Sequence, residues 1–335
     1  MKRVCWGALA MASFISPGAV AGDVPSMQAV RYHETGSSSV LRLERVPRPE
    51  PKPGEVLVQV AAAGVNPVDV LLRRGWQGAG PLTFPVIPGH DIAGRIVAVG
   101  AAVDPVLLDK DVFALISWRG GAYAEYVAVP AELVVPKPPR LSFAQAAAVP
   151  LVALTAYQAL FVDGQLAAGQ RILIHGGSGG VGHMAVQLAK HAGARVLATA
   201  SADNLEYVRA IGADVAIDYE KQRFEAVAGE VDFVLDTVGG ETLERSFRLI
   251  RPGGTLISTV AEPDGARLAE RRLKGARITV RPDRNNLREI AILIQRGEVT
   301  PTVSMTYPLT EAATAQDDLG RLRKPGKSVL MIQPL

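Results

Sequence analysis

Residues 171–189 read RILIHGGSGGVGHMAVQLA, a short apolar run that enters a glycine cluster and leaves it with helical spacing. Ile172, Leu173 and Ile174 show no polar alternation, which predicts a strand buried on both faces; Val181, Met184, Ala185 and Leu188 recur at the spacing of a helix. The stretch therefore predicts strand, turn and helix. Gly177, Gly179 and Gly182 fit GxGxxG. In that pattern the first glycine permits the tight turn, the second lets backbone approach a pyrophosphate, and the third lets the helix pack close to the strand. Ser178, Gly180 and Val181 complete the turn, and the free N–H groups and positive dipole end of the helix would face phosphates.

Glycine accounts for 33 of 335 residues, so the spacing alone is weak and its setting has to carry it. The setting repeats on schedule: residues 195–200 predict a second strand, 203–211 a helix, 215–219 a third strand, 231–236 a fourth, 241–250 a helix, 255–260 a fifth and 278–280 a sixth. This alternation is that of a doubly wound parallel sheet in an α/β fold. Upstream, residues 27–33, 41–46, 56–61, 92–99 and 123–129 predict short strands separated by Gly, Ser and Pro clusters such as PRPEPKPG at 47–54. Strands so close, without intervening helices, predict a compact β-rich barrel. The organisation expected is a β-rich domain over 27–140 and a dinucleotide-binding domain over 141–285, entered through a helical passage that starts at Ser142. Residues 285–295 predict a last long helix, and the tail ends in a strand, SVLMI, whose expected place is the first domain.

A chain of 335 residues exceeds one ordinary core, which agrees with two domains. A net charge of +3 builds no cationic face for nucleic acid; the seven basic residues between Arg267 and Arg284 read as a solvated helix face, with an anionic partner as the alternative. Cys5 is the only cysteine, so no intrachain disulfide and no multi-thiolate metal site can form, and the five histidines form no HxxxH or HExxH pair. At the N-terminus Lys2 and Arg3 precede an apolar run over 4–15, then Pro17, Gly18 and Ala19-Val20-Ala21. That is the grammar of a secretory signal peptide cleaved after Ala21, too short to span a membrane. Export to the periplasm follows from it. The alternatives are retention in the cytoplasm with Met27 as the initiator, or an N-terminal core helix, against which Pro17-Gly18 argues.

An ordered set of segments, AGVNPVDVLLRRG (63–75), PGHDIAGRIVAVG (88–100), GGAYAEYVAVP (120–130), HGGSGGVG (175–182), DTVGG (236–240) and GKSVL (326–330), resembles the medium-chain dehydrogenase/reductase superfamily. The branch it most resembles is that of the zinc-free quinone oxidoreductases. The resemblance implies a GroES-like β-rich barrel domain built from both chain ends around an inserted Rossmann dinucleotide-binding domain, commonly as a homodimer. Zinc-using members hold the metal with a Cys, a His and a second Cys; the matching positions here read Asn66, His90 and Leu151. The resemblance therefore implies no zinc, with His90 structural. An alcohol dehydrogenase needs the metal to stabilise an alkoxide, so the expected substrate is a quinone or α,β-unsaturated carbonyl, where the charge left by hydride is delocalised and hydrogen-bond donors suffice.

The resemblance also implies roles for single residues. Asn66 would contact cofactor or substrate, though an Asn before Pro67 equally suits a turn, and Asp69 reads as structural. Thr155 matches a position near the nicotinamide, while tyrosines that some relatives carry are replaced by Leu71 and Gln77. After the second strand the chain reads Thr199-Ala200-Ser201 with no carboxylate before Asp203, so no acidic group selects the non-phosphorylated cofactor, and NADPH is expected. Ser201, Asn204 and Tyr219 would supply neutral donors to its 2′-phosphate; Tyr219 matches a tyrosine bordering that group, and Asn204 replaces a lysine. Two other readings stand beside this one: an enoyl-thioester reductase, and a non-catalytic dinucleotide-binding sensor or structural protein.

Overall fold

The computed structural model describes residues 25–78, 80–117 and 120–335, so the signal read in residues 1–21 lies outside the described residues. Among these, six parallel strands form one sheet in the order Val215–Asp218, Arg195–Ala200, Arg171–Ile174, Val231–Asp236, Ile250–Ser258, Lys274–Arg277. Numbered from Arg171–Ile174, that is 3-2-1-4-5-6, the Rossmann order, with its crevice where the order reverses beside the first strand. Ile172 and Ile174 belong to one apolar cluster and Leu173 to another, so the first strand feeds cores on both faces.

The sixth strand is Lys274–Arg277 rather than 278–280. Ile278 and Val280 are buried, 5% and 6% exposed, within the large core just past the strand's end. Their β-branched side chains signalled burial, while the edge strand itself is polar and needs only one partner. The basic run is likewise not one helix face: it spreads over the helix Gly265–Glu270, the edge strand and the loop beyond, with Arg272 at φ 56° just after the helix. Arg267 pairs with Glu244 and lies 4.2 Å over the Phe247 ring, and Arg281 meets Asp163 at 3.3 Å.

The second sheet runs Val303–Pro308, Lys327–Met331, Glu55–Gly64, Asp91–Val99, Asp111–Leu115, Val135–Pro136, with Tyr126–Pro130 also on Glu55–Gly64. A separate antiparallel ribbon joins Ser26–Arg31 to Arg42–Pro47. The tail strand pairs antiparallel to Glu55–Gly64, Val329 opposite Gly64 and Leu330 opposite Ala63. The β-rich part is not free of helices, as its strand spacing suggested: Pro67–Arg73 is one. Pro67 sits in its first turn, where a missing N–H costs nothing, and Asp69 Oδ2 accepts the Asn66 backbone N–H at 2.8 Å.

Ser142 begins the passage between the sheets. Its hydroxyl accepts from Gln145 N at 3.2 Å and its own N–H reaches Gln145 Oε1 at 3.0 Å, a capping box for Phe143–Ala147. The following helix, Pro150–Tyr157, is buried from Pro150 to Ala156 and packs on the glycine helix Gly180–His191 and on Arg284–Arg296. A helix apolar on every side must be enclosed, and this one lies where the two sheets meet. No helix among the described residues is long and apolar enough to cross a membrane.

Candidate active site

The glycine turn shows a division of labour slightly different from the one expected of GxGxxG. The left-handed residue is Gly176, at φ +71°, not Gly177. Gly177 is needed for space, because a Cβ there would stand 2.7 Å from Ala198 Cβ on the second strand. A Cβ on Gly182 would fall 2.0 Å from the Gly176 carbonyl oxygen, so the helix can approach the turn only without a side chain there. Gly179, the N-cap of Gly180–His191, is different: its Cβ would meet only Gly176 O, at 3.3 Å. That open side, above the first free N–H groups of a twelve-residue helix, leaves room for an anion to approach the backbone.

Two buried histidines brace the turn. His175 Nε2 lies 2.9 Å from Ser246 Oγ, whose own proton goes to Thr242 O. Thr199 Oγ1 accepts Gly176 N–H at 3.1 Å and lies 3.4 Å from His175 Nδ1. His183 Nδ1 faces the carbonyls of Gly179 and Gly180 at 3.0 and 2.7 Å, so it donates, and Nε2 accepts Thr302 N–H at 3.3 Å. Burial holds both imidazoles neutral, with pKa values lowered to about 4.

Across the crevice lies a buried polar cluster. Asn66 Nδ2 donates to Asp91 Oδ2 at 2.8 Å and Lys327 Nζ donates to Asn66 Oδ1. A carboxylate can only accept and an ammonium can only donate, so the two partners fix which end of the amide is oxygen. Lys327 Nζ also lies 3.7 Å from Asp91, whose other oxygen accepts Leu151 N–H at 2.6 Å. Burial raises the Asp91 pKa and lowers that of Lys327, and each is drawn back toward its charged form by the other. One turn along the same helix, Thr155 Oγ1 donates to Leu151 O at 2.7 Å. Asp69 accepts from Tyr123 OH at 3.0 Å and holds His90 Nδ1 at 2.7 Å.

The cluster and the glycine turn adjoin. Gly326 N donates to Ser178 O at 2.9 Å, and a Cβ on Gly180 would come within 3.7 Å of Lys327 Cδ. The structure thus brings Asn66 together with the turn at 177–182 and sets Thr155 one helical turn from Asp91's partner. Ser201, Asn204 and Tyr219 lie farther along, at the ends of the second and third strands: Ser201 and Asn204 are buried and Tyr219 is half exposed. Asn204 Nδ2 stands 3.1 Å from Ser201 Oγ, 3.4 Å from Ser178 Oγ and 2.8 Å from Arg323 O. Asp91 and Lys327 were missed as site residues. The available signal was a charged side chain at the first position of each strand, Asp91 before IAG and Lys327 before SVL.

The donor set does not suit zinc. Leu151 offers no ligand atom, and the Asn66 amide is a neutral donor whose oxygen already accepts from the Lys327 ammonium, a cation that would repel a metal ion. Among the described residues no group of three or more His, Cys, Asp and Glu is gathered for a metal.

Residues 52–139 match the alcohol dehydrogenase GroES-like domain family and residues 211–330 the zinc-binding dehydrogenase family. The chain is 36% identical over 319 residues to the NADPH-dependent alkenal/one oxidoreductase, chloroplastic, of Arabidopsis thaliana, covering 91% of this chain and 79% of that protein. It is 32% identical to the quinone oxidoreductase of Rattus norvegicus, covering 91% of this chain and 98% of that one. Among solved structures, the quinone oxidoreductase from Coxiella burnetii superposes with a TM-score of 0.86 at 30% identity, over 92% of this chain and all of that one.

Proposed function

Because the chain belongs to the medium-chain dehydrogenase/reductase superfamily, in its quinone oxidoreductase branch, we propose that this oxidoreductase transfers hydride from NADPH to a quinone or an α,β-unsaturated carbonyl, without zinc. The observation that carries this reading is the state of Asn66 and Leu151, where zinc-using members place their two cysteines: a neutral amide bonded to the Lys327 ammonium, and an apolar side chain with no ligand atom. With no Lewis acid, the substrate itself must accommodate the negative charge that hydride leaves, and conjugated carbonyls do so. The names of the Arabidopsis and rat relatives support that substrate class.

When bound, the reduced nicotinamide supplies the hydride. Residues 177–182 hold the pyrophosphate on backbone N–H groups. Asn66 retains one proton and one lone pair beyond its bonds to Asp91 and Lys327, enough to orient a carboxamide or a carbonyl. Lys327 adds a buried positive charge to the same network, which favours an oxyanion. The Thr155 hydroxyl donates its hydrogen bond to Leu151 O and the Tyr123 hydroxyl to Asp69, so neither is aimed at substrate, and the proton that completes the reduction comes from water. Burial of the Pro150–Tyr157 helix at the crevice keeps bulk solvent off this side.

The test is NADPH oxidation by the purified protein, after exhaustive chelation, with a panel of quinones, enals and enones. Turnover unaffected by chelation is the expected result. Activity lost with the chelator and restored by zinc would overturn the metal-free reading, and tight NADPH binding with no turnover on any acceptor would favour a non-catalytic role.

A further inference from the structure

We propose that Arg323, in the C-terminal tail, is the residue that selects the phosphorylated dinucleotide, its guanidinium supplying the cation for the adenosine 2′-phosphate. This rests on the reading that NADPH is the hydride source.

The adenosine ribose of a dinucleotide on a Rossmann sheet lies at the end of the second strand, and discrimination between the two cofactors is made by the charge found there. Here that strand ends at Ala200. Ser201 and Asn204, just beyond it, are neutral, and the sequence holds no basic residue between Arg195 and Arg209. A dianionic phosphate in this place would meet the Ser201 hydroxyl and the Asn204 amide, with the Asp203 carboxylate between them in sequence, unless another segment brings a cation.

The tail does so. Gly326 is tied to the glycine turn through Ser178 O, and the Arg323 carbonyl accepts from Asn204 Nδ2 at 2.8 Å, so the tail crosses the end of the second strand. From that anchor the Arg323 side chain reaches Glu220, with Nη1 donating to Glu220 Oε1. Glu220 follows Tyr219, whose backbone N–H bonds Ala200 O at 3.3 Å across the top of the second and third strands. The arginine therefore starts beside Asn204 and ends beside Tyr219, bridging the gap between the neutral donors. Its side chain is 65% exposed, and Glu220 is the acidic partner that occupies the guanidinium in the free protein. A phosphate offers the same fork a bidentate site with more charge, so the arginine exchanges one anion for another when the nucleotide binds.

Of the neighbouring cations, Lys221 is the competing candidate, because its partner Asp218 stands opposite Ala200 in the sheet. Lys324 Nζ lies 3.0 Å from Met305 Sδ, on the other side of the tail, and Lys221 is drawn to Asp218 at 3.8 Å.

The experiment measures dissociation constants for NADPH and NADH by nicotinamide fluorescence titration, with no acceptor present. Wild type should favour NADPH. Arg323→Ala should weaken NADPH binding about tenfold or more, the loss of a charge-assisted pair, and leave NADH within about twofold, while Glu220→Gln should tighten NADPH alone by releasing the guanidinium. Wild-type protein that binds both equally would overturn the NADPH reading and this assignment with it. A wild-type preference that survives in Arg323→Ala, or that disappears in Lys221→Ala instead, would leave NADPH in place and overturn Arg323 alone. Unchanged thermal midpoints without nucleotide confirm that the exposed variants fold.

Discussion

Lys327 and Asp91 lie 3.7 Å apart with side chains 4% and 1% exposed, and Asn66 joins them. Taking one member from a buried ion pair costs about 3–5 kcal/mol, because the other charge stays buried and unpaired. Lys327→Met should lose stability of that order in urea unfolding without nucleotide. Adding Asp91→Asn should recover part of it, since the new amide oxygen still accepts from Leu151 N and no charge is left alone. A single variant that loses less than about 1 kcal/mol would show that the pair is not held as described. Their pairing was not legible in the sequence, where Asp91 and Lys327 stand 236 positions apart (327 − 91). The resemblance singled out Asn66 and not its partners, because a contact across that separation exists only after the tail strand has paired with Glu55–Gly64.

At the scale of the element, the glycines of one turn separate stability from binding. A Cβ on Gly182 would stand 2.0 Å from a backbone oxygen, while one on Gly179 meets the same oxygen at 3.3 Å and is otherwise open. Gly182→Ala should therefore destabilise the fold by several kcal/mol through backbone displacement. Gly179→Leu should keep most of its stability and lose dinucleotide affinity, because the side chain occupies that open side. Thermal unfolding and fluorescence titration on the two variants check this; equal effects on both would contradict the geometry. Strand, turn and helix were legible here because the apolar periods of residues 171–189 are local. The edge strand Lys274–Arg277 and the helix Pro67–Arg73 were not, since a polar edge strand and a two-turn helix carry too little apolar pattern to announce themselves.

Across the whole molecule, one apolar cluster links Ala62, Ala93 and Phe113 of the barrel-like sheet to Ile172, Met184 and Ile290 of the dinucleotide-binding part through the helix Pro150–Tyr157. Such continuity predicts one cooperative unfolding transition. Its pH dependence follows from His175 and His183, which have folded pKa values of about 4 against 6.5 for a free histidine. Between those values the unfolded chain takes up protons that the folded one refuses, so the stability is whole above pH 6.5 and falls as pH drops toward 4. The loss is on the order of 3 kcal/mol for each histidine. Calorimetry from pH 7 to 4 should show a single transition moving to lower temperature; two resolved transitions, or a midpoint that does not move, would contradict one claim or the other. The sequence by itself determined the doubly wound sheet, the glycine turn and the shortage of thiolate ligands, because apolar period and residue type are properties of neighbouring positions. Only the tertiary structure decided that Lys327 closes the Asn66–Asp91 cluster, that Arg323 crosses the second strand's end, and that Gly176 rather than Gly177 takes the left-handed turn. Those facts depend on where a C-terminal tail is folded back against a crevice formed more than a hundred residues earlier, which no local pattern records.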